Sequence, residues 1–139
     1  MEIIEKQKSK LEKVAQKYQL ELVLLFGSQV TGKTHKESDY DVAYLGQRKL
    51  SFEEQLRLDV DLMPVFGSDR VDIVDIRKAN PLLLKQIFAN HQILLCKDKK
   101  RYYLSKIYAA KKYREALPLF LLEELAVKRF IAKHQYLYD

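Results

Sequence analysis

The sequence predicts an α/β (α+β) fold, in which a small mixed β-sheet of about four strands is flanked by helices and followed by a helical tail. Two observations lead to this prediction. Short apolar runs alternate along the chain with longer amphipathic segments, and the last part keeps a helical pattern without further strand-like runs. The length of 139 residues suits one hydrophobic core, so we expect a single domain over residues 1–139. Its core would cover about residues 1–97 and its basic tail about residues 98–139.

Four segments have the length and composition of buried strands. They are residues 21–26 (ELVLLF), 40–45 (YDVAYL), 70–76 (RVDIVDI) and 92–96 (QILLC). In the second of these, the alternation of a strand places Asp39 and Asp41 on the same face as Ala43. The opposite face then carries Tyr40 and Val42.

Helical patterns separate and follow these strands. They cover residues 3–18, the segment from Ser51 to Pro64 and Gly67, the segment from Asn80 to about Asn90, and the tail from Asp98 onward. Ser51 and Glu54 form a capping box, and Asn80 before Pro81 is a second helix-start signal. Residues 29–36 are polar and are predicted to form a short helix or loop. We expect a break or kink at Pro118, because proline lacks the backbone N–H that a helix uses.

The composition excludes several classes of protein. No apolar run approaches the roughly 18 to 20 residues of a membrane span, and the lysine-rich start does not resemble a secretory signal. Cys96 is the only cysteine, so an internal disulfide is impossible and a reducing compartment, the cytoplasm, is expected. One cysteine and three scattered histidines do not favour a zinc site.

The positive charge of the chain is concentrated in the tail. Residues 1–96 hold 14 Lys/Arg and 14 Asp/Glu, whereas residues 97–139 hold 11 Lys/Arg and 5 Asp/Glu. This asymmetry indicates an acidic partner or a polyanion, or only a solvated helix face. Tyrosines interleaved with the basic residues would also suit nucleic-acid binding. We favour packing of the apolar tail residues against the body or a partner, namely of Leu104, Ile107, Tyr108, Leu121, Leu125 and Phe130.

The first candidate for chemistry is the Gly27-Ser28 pair directly after the first predicted strand. A turn from strand to helix exposes backbone N–H groups and the positive end of a helix dipole. Glycine lets the backbone approach a ligand, and the serine hydroxyl adds a donor. The pair suits a phosphate group, although Gly-Ser is also common in ordinary turns.

Asp39 and Asp41 make the signal stronger, because two carboxylates on one face of a strand repel each other. A hard divalent cation relieves that repulsion, and Mg²⁺ is commonly bound by carboxylates together with substrate phosphates. Two such ions can share these ligands in a phosphoryl transfer. Asp72 and Asp75 lie on opposite faces of the third strand, so at most one of them can join the pair. We favour Asp72, which is nearer the start of the strand.

Together these residues resemble the signature of the polymerase-β-like nucleotidyltransferase superfamily. The match consists of Gly27-Ser28, ten intervening residues, and Asp39-x-Asp41. More narrowly, residues 20–96 resemble the minimal nucleotidyltransferase (MNT) proteins through LFGS, SDYD, VDIVDI, the Asn-Pro helix start and the closing strand. MNT proteins of this size commonly act as antitoxins paired with HEPN-domain ribonuclease toxins. The implied activity is transfer of AMP from ATP to a tyrosine of the toxin, which the tail would help to bind.

The resemblance also implies roles for individual residues. Asp39 and Asp41 resemble a pair that binds two Mg²⁺ ions, and Asp72 resembles the third carboxylate, which ligates a metal and helps to activate the incoming hydroxyl. Gly27 and Ser28 resemble the turn that holds the triphosphate of ATP.

One departure from the family pattern bears on nucleotide binding, whereas His91, where relatives often have glycine, is read as a structural variation. Thr31 stands in the turn where many relatives carry arginine. Lys33 or Lys36 could supply the missing positive charge to the triphosphate.

Two other functions stay open. The chain could be an antitoxin that neutralises its toxin by binding alone, with a degenerate site. It could also be a nucleotidyltransferase acting on a small molecule or on RNA, although such enzymes usually carry a larger second domain for the acceptor.

Overall fold

The computed structural model describes residues 5–32 and 39–137, which form an α/β fold with the predicted order of elements. The elements are α1 (Glu5–Tyr18), β1 (Leu20–Phe26), α2 (Ser28–Thr31), β2 (Tyr40–Gly46), α3 (Phe52–Phe66), β3 (Val71–Asp75), α4 (Pro81–Ala89), β4 (His91–Cys96), α5 (Lys99–Lys133) and a 3₁₀ turn (Gln135–Leu137). The predicted fold class is confirmed. Across the described ranges, no helix combines the length and the apolar character that crossing a membrane requires.

The four strands form one mixed sheet in the order β3-β2-β1-β4. β1 runs antiparallel to both of its neighbours, whereas β2 and β3 run parallel and are joined by the crossover helix α3. Because β1 and β2 are antiparallel, the end of β1 lies beside the start of β2. Because β2 and β3 are parallel, the start of β3 lies at the same place. Three strand termini are therefore gathered at one end of the sheet.

Helices cover both faces of the sheet. On one face, Leu11 of α1 and Leu58 of α3 are buried against the sheet, and on the other face Leu84 of α4 and Ala109 of α5 are buried. β1 contributes side chains to both layers, which explains its continuous apolar run. The structure confirms the alternation predicted for β2, because Val42 and Tyr44 face the α1/α3 layer and Ala43 and Leu45 face the α4/α5 layer.

The capping box of α3 is confirmed, but its predicted end is only partly correct. The Ser51 hydroxyl accepts from the Glu54 N–H at 3.2 Å, and the Glu54 carboxylate accepts from the Ser51 N–H at 3.1 Å. Pro64 does not end the helix, which continues to Phe66 before Gly67 caps it with a φ of 63°. Buried residues on both sides of Pro64 hold the helix against the sheet, and this packing outweighs the one missing hydrogen bond.

Of the break or kink predicted at Pro118, the break is wrong, because α5 is one continuous helix of 35 residues. Its first half packs on α4 and β1, where Ser105 and Ala109 are buried. The tail residues predicted to pack against the body or a partner are not fully buried by the body, because they are 38% to 64% exposed: Leu104, Ile107, Tyr108, Leu121, Leu125 and Phe130. Beyond Leu117, nearly all side chains of α5 are exposed. We call residues 117–133 the distal half of α5.

Candidate active site

The candidate site lies where β1, β2 and β3 meet at one end of the sheet. Phe26, the last residue of β1, pairs with Asp41 of β2, and Asp41 pairs with Asp72 of β3. Gly27 follows Phe26 directly and is the N-cap of α2. The strand register alone therefore brings the glycine turn and two carboxylates together from separate parts of the sequence.

Gly27 has a backbone conformation that few other residues tolerate. Its φ is 78° and its ψ is −152°, a region that is essentially restricted to glycine. A Cβ atom on Gly27 would lie 2.2 Å from Oδ2 of Asp41. The Gly27 carbonyl accepts from the N–H groups of Val30 and Thr31 at 3.1 and 3.2 Å, which closes the turn. Glycine at this position therefore lets the Asp41 carboxylate lie directly against the backbone.

The surroundings of Asp41 disfavour the charged form of its carboxylate. Its burial, together with the charges of Asp72 and Asp39, raises the pKa of the Asp41 carboxyl above its ordinary value. The Asp41 side chain is half-buried, whereas Asp39, just before β2, is exposed. The three carboxylates interact unfavourably when all are ionised, so a bound cation would be stabilising here.

Asp72 and Asp75 have different surroundings. Asp72 is exposed and lies beside Asp41, on the same face of the sheet. Asp75 is buried on the opposite face, opposite Tyr44 in the register. Its carboxylate accepts from the Arg77 N–H at 2.9 Å and shapes the turn after β3. The geometry therefore places Asp72, and not Asp75, with the aspartate pair.

Asp59 of α3 is a fourth acidic neighbour that sequence reasoning missed. Burial and the charge of Asp72 raise the pKa of the Asp59 carboxyl. In the described part of the chain, its buried Oδ1 has no hydrogen-bond partner. Asp59 sits in a helix and carries no motif, so only the parallel pairing of β2 and β3, which brings α3 against β3, could have indicated it.

The donor atoms fit a hard divalent cation. Carboxylate oxygens are the ligands that Mg²⁺ prefers, and the site offers them from Asp39, Asp41 and Asp72. Within residues 5–32 and 39–137, no three His, Cys, Asp or Glu side chains stand close enough to hold a metal ion alone. Mg²⁺ is usually bound by one or two carboxylates together with phosphate oxygens and water, so this arrangement suits an ion that arrives with a nucleotide.

A cavity of about 520 Å³ opens beside the carboxylates. Asp41 of β2 lines it together with Gly27 and Thr31 of the turn after β1, and on the other side Gln86 of α4 and Asn90, which follows α4, line it. This volume lies in the range of small-molecule sites. Lys33 and Lys36, which were expected to supply charge to a triphosphate, lie outside the residues that the structure describes.

The fold and the site define a class of protein. The family model described as polymerase beta, nucleotidyltransferase matches residues 9–100. The chain belongs to this nucleotidyltransferase family, and the resemblance found in the sequence is thereby confirmed.

Two relatives show which nucleotidyltransferases this chain resembles. The protein adenylyltransferase MntA of Shewanella oneidensis is 38% identical over 68 residues, which cover 49% of this chain and 48% of that protein. The match thus spans about half the length of that curated relative. A crystal structure of a toxin–antitoxin with AMP-PNP contains a chain that is 26% identical, with a TM-score of 0.72, over 86% of this chain and 98% of that one.

A further structure shows the same fold at lower identity. It is the complex of a tri-AMPylated Shewanella oneidensis HEPN toxin with an MNT antitoxin. The matched chain is 23% identical with a TM-score of 0.66, over 86% of this chain and 96% of that one.

Proposed function

We propose that this protein is an antitoxin that transfers AMP from ATP to a tyrosine of a cognate HEPN-domain ribonuclease toxin and so neutralises it. The observation that carries the proposal is the meeting of Gly27, Asp41 and Asp72 at one end of the sheet in a nucleotidyltransferase fold. The relative named protein adenylyltransferase and the similar toxin–antitoxin structure with AMP-PNP support the substrate and the partner. The single cysteine supports action in the cytoplasm.

ATP would occupy the cavity beside the carboxylates. Gly27 and Ser28 would hold its triphosphate, with Lys33 adding positive charge. Asp39, Asp41 and Asp72 would hold two Mg²⁺ ions. These ions would neutralise the charge that develops on the phosphate oxygens.

The reaction is an in-line displacement at the α-phosphorus. The phenolic oxygen of the acceptor tyrosine forms a bond to this phosphorus, while the bond to the bridging oxygen of the β-phosphate breaks. Pyrophosphate leaves with the electron pair of that bond, and Asp72 accepts the phenolic proton. Such a reaction depends on positioning and charge stabilisation, which the fixed register of β1, β2 and β3 supports.

The exposed surface of the distal half of α5 supports the binding of a protein partner. Its exposed apolar residues lie on all sides of the helix: Leu117, Leu119, Leu121, Leu122, Leu125, Val127, Phe130 and Ile131. A helix that is apolar all round is normally buried. The same observation favours a second candidate function, in which the protein neutralises its toxin by binding alone.

The deciding experiment is intact-mass spectrometry of a purified HEPN-domain protein that is a candidate partner of this chain. After incubation with this protein, ATP and Mg²⁺, we expect the HEPN protein to gain one or more adenylyl groups. Omission of Mg²⁺ should prevent the gain. A stable complex without any change in mass would instead support neutralisation by binding.

The proposed role of Asp72, rather than Asp75, as the third carboxylate can be tested with a matched pair of variants. Asp72→Asn should lower the rate of AMP transfer at least about 100-fold, because it removes a charge next to the reacting phosphate. Asp75→Asn should change the rate less than about threefold, since the amide oxygen can still accept from the Arg77 N–H. Single-turnover transfer rates measure both effects. The reverse order of the two losses would assign the role to Asp75.

A further inference from the structure

A groove of about 470 Å³ lies between α4 and α5, and we call it the α4/α5 groove. Phe88 and Ala89 of α4 and Ala109, Ala110 and Leu117 of α5 form its apolar lining. Ala109 is only 2% exposed and so lies at the bottom of the groove. The small side chains along α5 leave room for side chains of another molecule.

The α4/α5 groove is also strongly basic. Lys85, Lys106 and Arg114 line it, and none of the described residues that line it is acidic. Lys85 is engaged within the protein, because its Nζ lies 3.0 Å from the Tyr113 hydroxyl and 4.1 Å from the centre of the Tyr113 ring. Lys106 and Arg114 are exposed and remain the cations best placed to meet a partner.

At one end the α4/α5 groove meets the candidate active site. Ala89 lines both the groove and the cavity beside Asp41. Lys85 and Phe88 point to the groove side of α4, whereas Gln86 and Asn90 point to the cavity side. Ala89 is therefore shared by the two spaces, which lie next to each other on α4.

At the other end the groove continues onto the distal half of α5. Leu117, Leu121 and Leu125 follow one another at four-residue spacing, on the face of α5 that carries Arg114. These leucines are 38%, 53% and 51% exposed. From Lys106 to Leu125 this surface extends about 29 Å along the helix axis.

We propose that the α4/α5 groove and its continuation along Leu117, Leu121 and Leu125 bind the acceptor protein and direct its tyrosine into the active site. The occupant is an acidic segment of the HEPN protein with one apolar face. This inference rests on the proposed function, and it names the surface that selects the acceptor. Lys106 and Arg114 meet the acidic side chains, while the alanines and leucines meet the apolar face.

The chemistry of the groove favours a polypeptide over a nucleic acid. Nucleic acids are held without sequence preference by free aromatic faces and cations. Here the face of the Tyr113 ring is already occupied by the Lys85 ammonium, which lies 4.1 Å from the ring centre. The leucines that continue the groove offer no stacking surface for bases. An apolar surface with a rim of one charge is instead typical of a protein interface.

The test uses charge reversal on the full-length protein. The double variant Lys106→Glu/Arg114→Glu reverses the rim, and Lys111→Glu is its control on the same helix. Lys111 is exposed and lies outside the groove. Rates of AMP transfer are measured against the concentration of the HEPN protein and, separately, against that of ATP. Melting temperatures verify that all variants fold.

We expect the double variant to raise KM for the HEPN protein about tenfold or more and to leave KM for ATP unchanged. Lys111→Glu should change neither constant more than about twofold. An unchanged KM for the HEPN protein in the double variant would overturn the proposal. Loss of binding to a labelled single-stranded RNA, with acceptor KM unchanged, would reassign the groove to nucleic acid.

The docking proposal can be tested separately from the proposed function. If the unmodified protein transfers no AMP, the proposed function fails. The proposed docking surface is then tested by the dissociation constant of the complex with the HEPN protein. This constant is measured for the unmodified protein, the double variant and Lys111→Glu. A double variant that binds as tightly as the unmodified protein would overturn it.

Discussion

Replacement of Asp41 by asparagine should abolish AMP transfer and, at the same time, stabilise the metal-free protein. The loss should be at least about 100-fold, because the site loses a charged oxygen donor next to the reacting phosphate. The gain in stability follows from the position of Asp41. Its carboxylate is half-buried and faces the charges of Asp72 and Asp39 without a cation.

The direction of the stability effect depends on pH. The folded protein raises the pKa of the Asp41 carboxyl through burial and the two neighbouring carboxylates. Folding therefore favours the protonated Asp41 carboxyl. Its contribution to the stability of the folded protein is fully present below the ordinary pKa of aspartate, and it is lost as the pH rises through the raised pKa. At neutral pH the ionised Asp41 opposes folding, and the neutral asparagine does not.

Thermal unfolding in EDTA measures this effect. At pH 7, Asp41→Asn should melt a few degrees above the unmodified protein, and the difference should shrink as the pH falls into the acidic range. Added Mg²⁺ and a non-hydrolysable ATP analogue should raise the melting temperature of the unmodified protein more than that of the variant. Asp39→Asn is the matched control, since Asp39 is exposed and its removal should stabilise less. A lower melting temperature of Asp41→Asn at pH 7 without metal would contradict the argument.

Replacement of Gly27 by alanine should impair both folding and transfer. The backbone conformation of Gly27 should cost alanine about 1–3 kcal/mol of folding free energy. The added Cβ would also lie 2.2 Å from Oδ2 of Asp41, so the carboxylate must move. A displacement of about 1 Å at a reacting centre can lower the rate about 100-fold.

Gly67 provides the control for this variant. It also has a positive φ, of 63°, but a Cβ there would meet no atom within 4 Å. Gly67→Ala should cost about 1–2 kcal/mol through its backbone alone and leave transfer nearly unchanged. Urea unfolding and single-turnover rates on both variants separate strain from displacement of Asp41. Similar losses of transfer in the two variants would show that backbone strain, and not the carboxylate, is responsible.

Local signals in the sequence predicted much of the fold. The capping box at Ser51 and the Asn80-Pro81 start are decided by neighbouring residues, so they could be read without tertiary information. The alternation of β2 was equally readable, because its two faces carry different residues. The alternation of side chains along β3 predicted that Asp72 and Asp75 face opposite sides of the sheet. The pairing of Asp72 with Asp41, however, depends on the parallel register of β2 and β3, which no local pattern in the sequence contains.

The errors concern two prolines that lie inside helices and one apolar helix face that the protein leaves exposed. Pro64 and Pro118 both lie inside helices, although proline disfavours that position. In α3, buried neighbours compensate for the lost hydrogen bond. Leu121 and Leu125 have the spacing of a buried face, yet the protein itself does not bury them, because periodicity cannot distinguish a core from an interface.

If the proposed partner covers the distal half of α5, this segment would connect the lifetime of the protein to the supply of that partner. Most of the stability of a helix in a protein comes from packing rather than from helix propensity, and the exposed distal half of α5 gains little packing from the body of the protein. Without a partner, this segment is therefore the first place where the chain frays and where a protease can cut it. A bound partner would cover the leucines and make the fraying costly. Surplus copies of the chain would then be removed while complexed copies persist, so the helix would adjust the amount of one protein to that of the other.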